Sequence, residues 1–151
     1  MHNHHRRRFF SRPSAWYGTV AALCGLVIPA ASAIGQPADT PPFYTCREQS
    51  ETTSTVAGIE LCTAEPTDAL TSRAVGDNLQ VRAGALVTNI ASSSIAASAG
   101  LARGDVIYRI GGNNIEDSLT AADQLSIIGT SADTIVNFLR SGRPYRVKLR
   151  R

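Results

Sequence analysis

The stretch Gly100–Gly112, GLARGDVIYRIGG, constrains the fold of this chain more than any other. Two glycines and an aspartate precede an alternating apolar run, and two more glycines close it. Gly100 can end a helical turn without a Cβ penalty. Gly104 lets the chain reverse, and Asp105 can bond backbone donors in that turn. The run between them has the two-residue period of a strand. Val106, Tyr108 and Ile110 are expected on one face, Ile107 and Arg109 on the other.

The rest of the chain reads around that strand. Residues 34–42 are rich in proline and small polar residues and read as a linker. FYTCREQ (43–49) reads as a short strand, SETTST (50–55) as a polar loop, and VAGIELC (56–62) as an apolar segment with an early glycine. Residues 65–76 suit a short helix, with Pro66 or Thr67 near its start and Gly76 beyond its end. ALVTNI (85–90) alternates and is rich in branched residues, as strands are. SIAASAG (94–100) suits one or two helical turns stopped by Gly100. GGNN (111–114) is turn chemistry, and Asp117 or Ser118 can cap a helix running to about Ile128. TIVNFLR and PYRVKLR, joined at Ser141-Gly142, form a terminal hairpin. Strands and helices do not alternate strictly. The expected class is α+β: a small, partly open β-barrel of five or six strands, with one long and one or two short helices.

The first 33 residues read as a signal peptide. Arg6, Arg7, Arg8 and Arg12 make a basic start with no acidic residue, an apolar stretch follows over about 15–29, and Ala31-Ser32-Ala33 offers a small-x-small cleavage site. HRRRFFS is similar to a twin-arginine signal but has His5 at the serine or threonine position, so the Sec and twin-arginine routes both remain open. The expected location is periplasmic or secreted. The expected organisation is a signal over 1–33, a linker and N-terminal strand segment over 34–54, and one domain over 55–151.

Cleavage changes the chemistry left behind. All three histidines, His2, His4 and His5, lie in the signal. The remaining chain carries 11 Lys and Arg against 12 Asp and Glu, which gives no case for nucleic acid. Membrane contact is not expected after cleavage. Cys46 and Cys62 remain as an even pair, which in an exported protein argues for a disulfide. The alternative is a redox or metal pair, against which stand the absence of a CxxC spacing and of any histidine to complete a zinc site.

The segment from Ala85 through SIAASAGLARGDVIYRIGGNNIED to LRSGRPYRVKLR resembles a PDZ domain of the bacterial type that follows periplasmic HtrA/Deg serine proteases. The resemblance covers about Val56–Arg150. SIAASAGL stands where the family usually has SPAxxAGL, and it is followed by Gly104-Asp105-Val106-Ile107 and a glycine-asparagine turn. In this light GLARGDVIYRIGG builds the domain and does not bind the ligand.

The resemblance implies a ligand site. PDZ domains bind an extended C-terminal peptide between a strand and a helix by strand addition. Its terminal carboxylate sits in a cradle of backbone N–H groups from an x-Φ-G-Φ loop. The match here is Val56-Ala57-Gly58-Ile59, so the amides of Ala57, Gly58 and Ile59 would converge on the anion. Ala57 departs from the larger apolar residue usual at that position. Ile59-Glu60-Leu61 would pair with the peptide, and Ala121, Leu125 and Ile128 would form an apolar wall. The other reading of VAGIEL is an edge strand with a glycine bulge. A Cys46–Cys62 bridge would tie an upstream segment beside the groove, bracing it or partly covering it.

The six basic residues Arg140, Arg143, Arg146, Lys148, Arg150 and Arg151 are expected as solvated positions that protect an edge hairpin. No catalytic residue is expected. The mature chain has no histidine for a triad and no GxSxG, HExxH or Asp-Thr/Ser-Gly motif. No cofactor and no metal are implied. The expected function is a non-catalytic exported module that binds C-termini or extended segments of envelope proteins, as an adaptor or as a regulator of a separate protease. The alternative is a structural or assembly domain with a vestigial or self-occupied groove, associating through its edge strands or basic hairpin. Partner, peptide specificity, oligomeric state and export route stay open.

Overall fold

Eight short strands and three helices follow one another along the chain in a computed structural model that describes residues 41–127 and 133–150. The cleavage residues Ala31 and Ala33, and Ile128 of the expected groove, lie outside the described residues. The elements are β1 (Tyr44–Cys46), β2 (Thr53–Ser54), β3 (Ile59–Pro66), α1 (Asp68–Arg73), β4 (Ala85–Ile90), α2 (Ile95–Ser98), β5 (Val106–Ile110), β6 (Asn113–Asn114), α3 (Ser118–Ser126), β7 (Thr134–Arg140) and β8 (Arg143–Leu149).

The sheet is antiparallel and open, with main order β1-β3-β4-β5-β7-β8. The main path has six strands, against the five or six expected from the sequence. The two-residue strands β2 and β6 lie off the path, against β3 and β5. The segment expected as linker and N-terminal strand therefore supplies two strands to the sheet.

Local chemistry explains the ends of the elements. The Asp117 carboxylate caps α3, accepting from the Thr120 amide at 2.7 Å. Ser94 caps α2 in the same way, accepting from the Ala97 amide at 3.0 Å. The β7–β8 turn has both central residues left-handed, Ser141 at φ 49 and Gly142 at φ 73, the two-residue geometry that matches strand twist.

The sheet is buried on both faces. Ile59, Leu61, Val87, Ile107, Val136 and Phe138 join Ala121 and Leu125 of α3 in the larger core. Cys62, Ala64, Leu86, Val106 and Leu139 meet Leu70 of α1 and Tyr44 of β1 on the other side. Complete burial of each large side chain contributes about 1.5–3 kcal/mol, and β3 contributes to both clusters. That is why IELCTA reads as a nearly continuous apolar run rather than an alternating one.

One sequence expectation about β5 is corrected. Val106 and Tyr108 do share a side, but Ile110 lies in the larger core with Ile107. Ile107 pairs with Phe138 and Arg109 with Asn137, so β5 carries one extra residue there. Such a bulge shifts the two-residue phase by one and turns Ile110 inward.

Asp105 does more than close its turn. Its carboxylate accepts from the Ala102 amide at 2.8 Å. It also takes Arg140 in a bidentate pair, Nε to Oδ1 and Nη2 to Oδ2, each at 2.8 Å. The same guanidinium donates to the Gly100 carbonyl at 2.8 Å. The GLARGD turn is thereby fastened to β7. Arg140 is thus engaged rather than solvated, and Lys148 pairs with Asp133 at 2.6 Å.

Candidate functional site: the edge of β3 beside α3

β3 has two edges. One is paired with β4 from Ile59 to Thr63. The other is the edge on which the sequence places peptide addition, and it is occupied by the chain itself. Thr45 lies opposite Glu65, and Cys46 opposite Ala64. The Arg47 amide donates to the Thr63 carbonyl at 2.8 Å. The Thr63 amide donates to Ser50 Oγ at 2.8 Å. Thr53 lies opposite Leu61 and Ser54 opposite Glu60, antiparallel. The Thr55 amide donates to the Ile59 carbonyl at 3.0 Å. Residues 44–55 form a strap along the whole of that edge, and Cys46 and Cys62 are joined by a disulfide with Cα atoms 5.5 Å apart.

The loop Val56–Ile59 is the turn of the β2–β3 hairpin. Gly58 is left-handed, with φ 75, and its amide donates to the Thr55 carbonyl at 3.0 Å. A three-residue connection with a left-handed glycine in third place is a common hairpin solution. The Ile59 amide donates to Thr55 Oγ1 at 3.4 Å. Of the three amides that the sequence assigns to carboxylate binding, only that of Ala57 has no partner among the described residues. The loop is pinned from behind: the Ala91 amide donates to the Gly58 carbonyl at 2.9 Å, and the Ala96 amide to that of Ala57 at 3.4 Å.

The expected wall residues lie deep. Ala121 and Leu125 are fully buried in the larger core together with Ala57, Ile59 and Leu61. Glu60 is half-buried at the hairpin. What links strand, strap and helix is polar, and the sequence reading did not single it out. The buried Thr63 hydroxyl lies 3.2 Å from Ser118 Oγ and accepts from the Ser118 amide at 3.2 Å. With Ser50 on its own amide, Thr63 ties the strap, β3 and the start of α3 together. Ser50, Glu51, Thr63, Asp117, Ser118 and Leu119 line a cleft of about 300 Å³ there. A smaller cleft of about 150 Å³, with Thr55, Gly58, Ile59 and Asn89 among its lining, lies at the hairpin turn.

The hairpin had a readable signal. TST is a run of strand-favouring and small polar residues, followed by three residues ending in glycine and then by IEL. The pairing of Ser50 and Thr63 had none, because it depends on the strap's path in space.

The described residues contain no histidine. They hold no group of three or more His, Cys, Asp or Glu side chains able to bind a metal. No helix among them is long and apolar enough to cross a membrane.

An open antiparallel sheet is thus capped by one longer helix, α3. That helix runs beside the strand that follows a glycine turn, and GLARGD clamps the middle of the sheet. The chain has a PDZ-like fold. Among solved structures it is similar to the HtrA-type protease AlgW with a decapeptide (24% identity, TM-score 0.47), covering 62% of this chain and 27% of that one. It is also similar to the HtrA3 PDZ domain bound to a phage-derived ligand, FGRWV (18%, 0.48), covering 67% of this chain and 86% of that one. A third is the serine endoprotease from Yersinia pestis (18%, 0.41), covering 67% and 41%. The chain thus spans 27% and 41% of the two proteases' lengths. No protein-family model matches the chain. No curated protein matches it either.

Proposed function

We propose that this chain is a non-catalytic protein-interaction module that works outside the cytoplasm and takes an extended polypeptide segment between β3 and α3. One observation carries the reading: a strand already lies against that edge. Thr53 and Ser54 run antiparallel to Leu61 and Glu60 on the side of β3 that faces α3. The edge is therefore competent for strand addition, whose affinity comes from backbone hydrogen bonds. The Cys46–Cys62 bond supports an oxidising compartment. Adaptor and protease regulator are the two roles that such a module fills.

The test is a titration of fluorescent extended peptides into the chain, oxidised and reduced, with each hit repeated as its C-terminal amide. Micromolar binding that perturbs the amide resonances of β3 and α3 is expected. Loss on amidation would assign the terminal carboxylate to the Ala57–Ile59 loop. No binding in either state would sink the reading.

A second reading, an assembly domain with a self-occupied groove, draws on the same strap. The outer edge of β3 already has bonded partners at Ile59, Leu61, Thr63 and Glu65. This reading expects no peptide binding in any redox state, and a concentration-dependent sedimentation coefficient.

A further inference from the structure

The strap differs sharply along its length. Its β1 end is anchored by apolar contact: Tyr44 is buried in the second core and its hydroxyl accepts from the Arg82 amide at 3.0 Å. From Arg47 to Val56 every residue is exposed or half-exposed except for the hairpin contacts of its backbone, and none belongs to either core. That stretch is held by ladder hydrogen bonds, by Ser50 on Thr63, by the exposed Arg47–Glu65 pair, and by one covalent bond. The covalent bond sits where the anchored part ends. Cys62 is fully buried on β3, and Cys46 is on the exposed strap.

We propose that residues 47–54 are a built-in occupant of the peptide groove, clamped by the Cys46–Cys62 bond, and that thiol–disulfide exchange at that bond opens the edge of β3 to an incoming segment. The inference rests on reading the edge beside α3 as the peptide site. Strand addition needs the N–H and C=O groups of Leu61 and Thr63, which the strap holds. An incoming strand must displace these bonds one for one, so it gains nothing from the backbone while the strap stays. A polar segment with no buried apolar side chain is easily displaced once untethered, because only water-exchangeable hydrogen bonds hold it.

The reductant is a dithiol. Its thiolate attacks Cys46 Sγ, the sulfur on the exposed strap, and forms a mixed disulfide. The Cys62 sulfur leaves as a thiolate and takes a proton. The second thiol of the reductant then attacks the mixed disulfide and releases the Cys46 thiol. Two electrons and two protons pass to the protein, and the dithiol becomes a disulfide.

The experiment compares the full chain oxidised, reduced with dithiothreitol, and as Cys46→Ser, which leaves the buried Cys62 in place. Amide hydrogen exchange is followed at Arg47, Thr55 and Thr63, with Ile107 and Phe138 as reporters of the core, and peptide titrations run in parallel. Reduction and Cys46→Ser are expected to lower protection at the three strap-facing amides at least tenfold while Ile107 and Phe138 keep theirs. Peptide affinity should rise at least tenfold. Unchanged protection at Arg47, Thr55 and Thr63 after reduction overturns the clamp. Equal peptide affinity in closed and open forms overturns the gate but leaves the proposed function standing. Strap release with no peptide bound in any state sinks the peptide-binding reading, and the gate with it. Should reduction unfold the core, Thr53→Pro with the disulfide intact tests the same idea, since it deletes an amide opposite Leu61. A folded Thr53→Pro chain that binds peptide no better than wild type also overturns the proposal.

Discussion

Gly58 is required twice over. Its φ of 75 lies in the left-handed region, and a Cβ built there would stand 2.4 Å from the Ser94 Cβ. Ser94 cannot withdraw freely, because its hydroxyl caps α2. Gly58→Ala is expected to lower the unfolding free energy by about 1–3 kcal/mol, the cost of a strained backbone position, read as a shift in the urea midpoint. Tyr44 supplies a pH dependence. Burial raises its pKa above the ordinary 10.0, partly offset by the Arg82 amide and the Arg82 charge. A proton held more tightly by the folded than the unfolded chain adds stability that is complete below the unfolded value and is lost as pH rises through the folded one. The urea midpoint should therefore fall above about pH 10, the ordinary tyrosine range, and Tyr44→Phe should flatten that fall.

Among the elements, the β7–β8 hairpin shows how far turn chemistry carries. Both turn residues are left-handed, yet the first is Ser141, which tolerates that conformation less well than asparagine. Ser141→Asn is expected to stabilise the chain by about 0.5–1 kcal/mol, seen as a higher thermal midpoint with an unchanged fold. This hairpin, β4 and the start of α3 were all legible in the sequence, because each is specified by residues next to one another. The β2–β3 hairpin was only half legible. Its glycine was read as a ligand loop, since the partner strand Thr53–Ser54 is two polar residues with no apolar period of their own. The bulge in β5 was illegible for a related reason: an extra residue in a strand is defined by what the neighbouring strand offers, here Phe138 and Asn137.

For the whole molecule, the proposed non-catalytic role makes a prediction of its own. Beyond His5 there is no histidine anywhere in the sequence, so the described sheet and helices hold no imidazole to serve as general base. The purified chain is expected to leave casein intact and to resist labelling by a serine-directed fluorophosphonate, checked by gel and by intact mass. Labelling at a single serine would reopen the question of catalysis. The two cores lie one on each face of the sheet, with α3 and α1 each covering a side. Residues 47–55 of the strap lie outside both, and under the proposed clamp that position lets them respond to chemistry at Cys46 while the sheet stays folded.

The sequence by itself determined the α+β class, most of the strands along the chain, a helix cap at Asp117 or Ser118 and the turn at Ser141-Gly142; it favoured a bond between the two cysteines and left it open. These follow from local rules: period, capping and turn residues act over a few positions. Only the tertiary structure decided that neither edge of β3 is free, the second being covered by residues 44–55. The strap's position depends on Thr63, Ser50 and Ser118 meeting across 13 and 55 residues of chain, and no periodicity encodes a contact between single polar groups so far apart. The same holds for Asp105, whose turn the sequence announced but whose Arg140 partner, 35 residues on, only the folded sheet delivers.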